Sequence, residues 1–425
     1  MSSGNKMLPG PHNRLIRTAF LGTFLEYYDV MLFAFFAKTL GALYFPSANE
    51  SLSTIRAYAV MAGAYFVMPL GGLLFGYIAD KYGRRLSLIL SVGLITIPTF
   101  VFALLPTYSS IGISAPIILI LCRLLQALSM GGEYSGAATF IFEHTDPKRR
   151  CFMAALLGAT CVLAAAFGTC FSAIVQSESF PDWAWRIPFF VGGVLGFIGF
   201  MLRRKLFQMK TDTEAPKKKL NPFKVLFRTQ KANIFLAFCV GAFVTIPFYF
   251  GQVYLGGVLR ESKLLTGSET LYVSTLLLVC WSLVGPIVGR IADTVGLIRI
   301  MSLGCLGTAC LVYPLLWHMN DDLSLQSIIT AQLGIILIGL FTAAPSAALF
   351  PSLFNKEVRV SGMAFAYSLA IAIGGTSTPL YCKALVEYTG NPNSPALYVI
   401  GMSLLCLVTL ACLKKTTADK PLTTP

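Results

Sequence analysis

The sequence predicts an all-α membrane protein with twelve transmembrane helices arranged as two pseudo-symmetric six-helix bundles. Three observations carry this. The chain has 425 residues, of which 56% are hydrophobic and only 12% charged, too little polarity for a soluble protein of this size. Twelve apolar runs follow one another at 17–40, 57–79, 86–106, 113–134, 152–175, 185–202, 233–256, 270–291, 298–318, 326–349, 361–383 and 396–413. Each is close to the length of helix needed to cross about 30 Å of hydrocarbon, about 20 residues. Finally, one loop frame occurs twice, as Gly76-Tyr-Ile-Ala-Asp80-Lys-Tyr-Gly83 and as Gly289-Arg-Ile-Ala-Asp293-Thr-Val-Gly296, 213 positions apart. Each copy joins the second and third runs of its own half, as expected of a carrier built from repeated bundles.

The first run is no removable leader: it carries Glu26 and Asp29 and leads directly into a second span. Runs one to six make an N-terminal bundle over 1–202. A basic stretch at 203–231, containing Pro216 and Pro222, reads as the linker between bundles. Runs seven to twelve make a C-terminal bundle over 232–413, and 414–425 reads as a polar, unstructured tail. Gly and Pro recur inside the runs, among them Gly71-Gly72, Gly131-Gly132, Gly374-Gly375, Pro247 and Pro286. In membrane helices such residues permit close packing and kinks.

Charge sets the expected orientation. With the N-terminus inside, 26 of the 33 Lys and Arg residues fall on inner segments. That asymmetry places both termini in the cytoplasm and accounts for most of the net charge of +14. Lys217-Lys218-Lys219 then reads as a lipid-headgroup contact rather than a nucleic-acid site. The 11 cysteines stand singly with no C-x-x-C pair, so they read as small apolar residues, with no metal and no cofactor expected. No nucleophile triad and no G-x-x-x-x-G-K-[ST] loop appears, so neither an enzyme nor an ATP-driven pump is expected.

Charges inside the runs point to function, since each costs about 2.5–3.5 kcal/mol to insert at mid-bilayer. Glu26 and Asp29 share one face of the first helix at i, i+3. Carboxyls that close repel, so one favours its protonated form unless a cation sits nearby. Together with Glu133 they are the candidate proton carriers. Arg123 and Glu133, ten residues apart in the fourth run, are separated by about 15 Å along the helix. Each must therefore find a partner on another helix, and for Arg123 the candidates are Glu26 and Asp29. Arg123 could equally grip an anionic solute. Asp80 and Arg84 stand one turn apart at the inner end of the second run. With Gly76, Gly83, Arg85 and Asp293 they form a candidate cytoplasmic gate. The second half offers polar and aromatic groups instead of charges, including Tyr249, Gln252 and Gln332, which suit a small hydrogen-bonding solute.

At the level of motifs, Gly76…Asp80…Gly83-Arg84-Arg85 resembles the signature loop of the major facilitator superfamily. Gly22-Thr-Phe-Leu-Glu26-Tyr27-Tyr28-Asp29 is similar to the G-x-x-x-E-W-Y-D of that family's metabolite:proton symporter branch. Arg123-Leu-Leu-Gln126-Ala-Leu-Ser-Met-Gly131-Gly132-Glu133, Trp185-Arg186-Ile187-Pro188-Phe189 and Val358-Arg359-Val360-Ser361-Gly362 resemble further stretches of the same branch. That branch includes proline/betaine, α-ketoglutarate, citrate and shikimate carriers. The chain departs from the pattern at Ala127, at Leu297 (where Arg is expected after Gly296), and at Ser352 and Asn355. The resemblance implies proton-coupled uptake of a small polar metabolite, such as an organic acid, amino acid or betaine, by alternating access. It also implies a bacterial inner-membrane location. Tyr27, Arg123, Gln126, Tyr249, Gln252 and Gln332 are the candidate solute-binding residues. The expected partners are a small-molecule solute, protons and the lipid bilayer, with the chain acting as a monomer. An uncoupled facilitator and a transporter-like solute sensor are the alternatives.

Overall fold

A computed structural model describes residues 11–48, 50–176, 180–208 and 222–419. Among the described residues, eleven helices are long and apolar enough to cross a membrane, and a bent pair, counted as one span, makes a twelfth. Helix α1 is that pair: Pro11–Phe35 continues as Ala37–Tyr44 after a 65° bend. The first half is completed by α2 (Glu50–Tyr82), α3 (Arg84–Leu104), α4 (Ser114–His144), α5 (Arg150–Val175) and α6 (Arg186–Gln208). A short helix, Pro222–Thr229, precedes the second half. There, α7 comprises Lys231–Phe248, a wide π-helical turn Tyr249–Tyr254, and Leu255–Glu261. Next come α8 (Gly267–Val295), α9 (Leu297–Asp321) and α10 (Leu325–Ser352). Helix α11 runs Arg359–Ala370, a second wide turn Ile371–Gly375, and Thr378–Thr389, and α12 is Pro395–Asp419.

Local chemistry explains several boundaries. Thr266 opens α8 in a capping box with Glu269, and Ser324 opens α10 in one with Ser327, each satisfying orphan amides of the first turn. The loop repeat behaves alike in both halves. Gly83 (φ +104°) separates α2 from α3, and Gly296 (φ +109°) separates α8 from α9, a backbone that side chains strain to adopt. The polar stretch expected as a linker is helical at both described ends. Helix α6 runs on to Gln208, and Arg203 is buried in the first bundle rather than facing solvent. The triple lysine at 217–219 lies outside the described residues. The expected unstructured tail likewise begins as helix, since α12 reaches Asp419.

Within the first half α2 packs on α4, α3 on α6 and α1 on α5; within the second, α9 packs on α10 and α12. The halves meet along two seams, α2 against α11 and α5 against α8, with α10 also on α5. Glycine backbones set the approach: a methyl on Gly131 would stand 2.1 Å from the Met68 carbonyl oxygen, and one on Gly71 1.9 Å from that of Leu128. The outer surface is apolar. Leu276, Leu283, Phe66 and Phe235 are each more than 60% exposed, a girdle that hydrocarbon rather than water must cover. An even number of spans puts both ends of the chain on one face, called here the terminal face.

Candidate transport site and gate

Helix α1 has two working faces. Tyr27 and Met31, at i, i+4, line a cavity between the halves, whereas Glu26 and Asp29 point into the interior of the first bundle. The cavity measures about 950 Å³ including the open space at its mouth, and both halves wall it. Its lining is aromatic: Tyr27, Tyr65, Tyr134, Tyr249 and Tyr367 with Phe248 and Trp281. Tyr134 stacks on Tyr367 across the boundary between halves (centroids 5.1 Å apart) and meets Tyr27 edge-on at 6.3 Å. Phe248 sits edge-on to both Tyr249 (5.4 Å) and Trp281 (5.9 Å). Among the described residues, no Asp, Glu, Lys or Arg lines the cavity.

The expected solute-binding residues separate accordingly. Tyr27 and Tyr249 line the cavity, and Arg123, Gln126, Gln252 and Gln332 are not among its walls. Arg123 belongs to a closed polar ring inside the first bundle. Its guanidinium lies 3.5 Å from Asp29 and donates to Gln126 Oε1 at 3.0 Å. Gln126 Nε2 donates to Thr99 Oγ1 at 3.1 Å, and Thr99 donates to Asp29 Oδ1 at 2.8 Å. All four side chains are buried, and the Phe33 ring covers the guanidinium at 4.5 Å. Gln332 Nε2 donates to the Gly251 carbonyl at 3.0 Å inside the wide turn of α7, replacing a partner the turn has lost.

Glu133 finds its cation on α6. Arg203 grips both carboxylate oxygens and also donates to the Leu88 carbonyl, while Ser91 donates to Glu133. The cluster is fully buried. Sequence reading missed Arg203 because it heads a basic run. Glu26 is different: it is 1% exposed, and neither carboxyl oxygen has a hydrogen-bond partner among the described residues.

The loop repeat ties the two halves together on the terminal face. Asp80 on α2 accepts from the first amides of α11, Ser361 N at 2.9 Å and Val360 N at 3.4 Å, and from the Ser361 hydroxyl at 2.6 Å. Asp293 on α8 accepts from the first amides of α5, Cys151 N at 2.8 Å and Phe152 N at 3.0 Å. Each aspartate therefore caps a helix of the opposite half, where free amides and the helix dipole favour an anion. Gly76 and Gly289 allow the approach: a methyl would stand 2.5 Å from the Ser361 Cα in one and 2.4 Å from the Ala155 Cβ in the other. Arg84, near Asp80, forms its ion pair elsewhere. Glu143 on α4 takes Arg84 at 2.8 Å and, from the second half, Arg359 at 2.9 Å. Leu297 stands where Arg84 does, so the α5–α8 seam lacks this ionic trio. Arg85 is half-exposed on the first turn of α3. Glu143 was also missed; its signal was an acidic residue between the fourth run and the basic segment Lys148-Arg149-Arg150.

A cavity between two like-oriented halves, joined on one face by the repeated loops, is the arrangement of a secondary carrier. The Major Facilitator Superfamily model matches residues 19–379, and the chain belongs to that superfamily. It is similar to the proline/betaine transporter of Escherichia coli (strain K12), 30% identical over 97% of this chain and 85% of that one. It is equally similar, at 30% identity over the same shares, to the glycine betaine/proline/ectoine/pipecolic acid transporter OusA of Dickeya dadantii. Its fold matches that of the proton:xylose symporter XylE, with a TM-score of 0.74 and 14% identity over 95% of each chain. The chain is thus an integral membrane transporter, not an enzyme, and carries a small molecule.

Proposed function

We propose that the protein is a proton-coupled importer of small zwitterions of the proline and betaine kind. The observation that carries the reading is the aromatic cavity without a charged wall. A quaternary ammonium binds the faces of aromatic rings, worth about 0.5–2 kcal/mol for each well-placed ring. Tyrosine hydroxyls donate to the solute carboxylate. A di- or tricarboxylate would leave charge unmatched there, a costly burial. The names of the relatives agree with this chemistry.

The proposed machinery keeps proton and solute apart. Glu26, without a donor among the described residues, is the leading proton carrier, with Asp29 and Glu133 each held by an arginine. Arg123 organises Asp29. Asp80, Asp293, Gly76, Gly83, Arg84 and Arg85 form the gate. On this reading the lysine- and arginine-rich terminal face is the cytoplasmic one, so that in a bacterial inner membrane both termini lie in the cytoplasm. Residues 1–202 and 232–413 act as the moving halves, joined by 203–231, and the monomer suffices because both walls of the cavity come from one chain.

The test is uptake of labelled glycine betaine into proteoliposomes with an imposed pH gradient, acid outside. Accumulation above the external concentration, abolished by a protonophore and competed by proline but not citrate, is expected. Equilibration without accumulation would make the protein a facilitator. Competition by citrate with none by proline would overturn the solute class.

A further inference from the structure

Gly22 lies one turn before Glu26 on α1, about 6 Å along the axis and on the same face. A methyl there would stand 1.8 Å from an Arg203 Nη and 2.5 Å from Glu133 Oε1. The Arg203 guanidinium therefore occupies the space that a bare glycine leaves on α1, beside Glu26. It is held by Glu133, whose oxygens it grips, and by the Leu88 carbonyl. Glu26, one turn further along the same face of α1, has both carboxyl oxygens buried and unpartnered among the described residues. The groups facing Glu26 are Glu133 and Arg203, Asp29 with its partner Arg123, the Cys161 thiol, and the Tyr27, Tyr65 and Tyr367 hydroxyls. A guanidinium presents five donors in a planar fork, enough to serve two carboxylates at once.

We propose that Arg203 is the positioning residue for proton release, its guanidinium turning from a two-pronged grip on Glu133 to a bridge between Glu133 and Glu26. This rests on the proton-coupled reading above. With Glu26 protonated, the fork serves Glu133 and the Leu88 carbonyl. When the Glu26 O–H bond breaks, the proton passes to water on the terminal side. The new carboxylate is then met by one arm of the fork while Glu133 keeps the other arm and the Ser91 hydroxyl. No buried charge is left unpaired at either stage, which is the condition for a fast cycle in a dry interior.

The test is the pH profile of glycine betaine uptake into proteoliposomes at fixed internal pH. In Glu133→Gln the fork is released to Glu26 alone, so half-maximal uptake should move to lower external pH by about one unit. In Glu133→Gln/Arg203→Gln, which buries neither charge of the pair, it should move to higher external pH by a similar amount. Opposite shifts are a signature that a packing role would not produce. Both variants moving the same way, or neither moving, overturns the assignment. If Glu133→Gln alone does not fold, the double variant decides: an unmoved midpoint overturns. Uptake by the unmodified protein that ignores pH overturns proton coupling itself, and this assignment with it; pH-dependent uptake with unmoved variants overturns the assignment only.

Discussion

Replacing Asp80 and Asp293 together with asparagine should open the terminal face. Asp80 accepts three hydrogen bonds from the start of α11, and Asp293 accepts two from the start of α5. Asparagine keeps one acceptor oxygen but loses the second and the negative charge. The loss of one acceptor oxygen and of the charge at a helix N-terminus costs about 1 kcal/mol at each site. The two sites share no partner, so the costs should add to about 2 kcal/mol. That is about 30-fold in the equilibrium between closed and open terminal faces, enough to turn a ratio of about 1:99 into about 1:3. Spin labels at Tyr82 and Val295, exposed residues at the terminal ends of α2 and α8, would report it as a longer distance, with exposed Cys310 and Cys412 replaced beforehand. Each single variant should give roughly the square root of the double effect. A double variant whose distance distribution shifts less than about twofold in population, against the expected 30-fold, would refute the capping account. So would a single variant that produced the whole change.

Other perturbations probe the first bundle and its packing. Glu26→Gln should retain solute exchange between equal internal and external pools and lose accumulation driven by a pH gradient; full accumulation would remove Glu26 from the proton path. Arg123→Lys cannot reach Asp29 and Gln126 together with a single ammonium, so transport should fall well below that of the parent. Arg123→Ala should in addition lower the unfolding midpoint in detergent, because an unpaired buried carboxylate costs about 3–5 kcal/mol. Gly131→Ala places a methyl 2.1 Å from the Met68 oxygen and 2.4 Å from the Gly72 nitrogen, backbone atoms that cannot yield, and should cost about 1–3 kcal/mol or more. Gly401→Ala, with nothing within 4 Å of the added methyl, is its control and should leave the midpoint unmoved.

The spans were legible because a lipid-crossing helix has almost no freedom in length or polarity. The bend in α1 was not, since no Pro or Gly marks Phe36, and fully buried packing around that residue sets it. The glycines of the wide turns were visible in α7 and α11, but which turn of a helix widens depends on what neighbouring helices offer, such as the Gln332 amide. Buried charges announced a site, and depth pointed Arg123 towards Glu26 or Asp29, of which the structure takes Asp29. The partner of Glu133 stayed hidden because Arg203 opens a run of solvent-like basic residues, and its long stem folds back into the bundle. The loop aspartates were legible as a motif, yet their partners, backbone amides of helices far along the chain, exist only once the halves are packed. The cavity tyrosines other than Tyr27 and Tyr249 gave no sign: a tyrosine in an apolar helix reads as packing until its neighbours are known.

The uncharged wall of the cavity has an electrical consequence. A zwitterion crosses with no net charge, so on the proposed cycle each accompanying proton makes the loaded carrier's step carry one positive charge inward. The membrane voltage then does work on the solute even when internal and external pH are equal. At one proton per solute, about 2.3 kcal/mol per 100 mV corresponds to an approximately 50-fold concentration ratio sustained by voltage alone. A cell in alkaline surroundings, where the pH gradient vanishes or reverses, would still fill through this protein as long as its membrane stayed polarised.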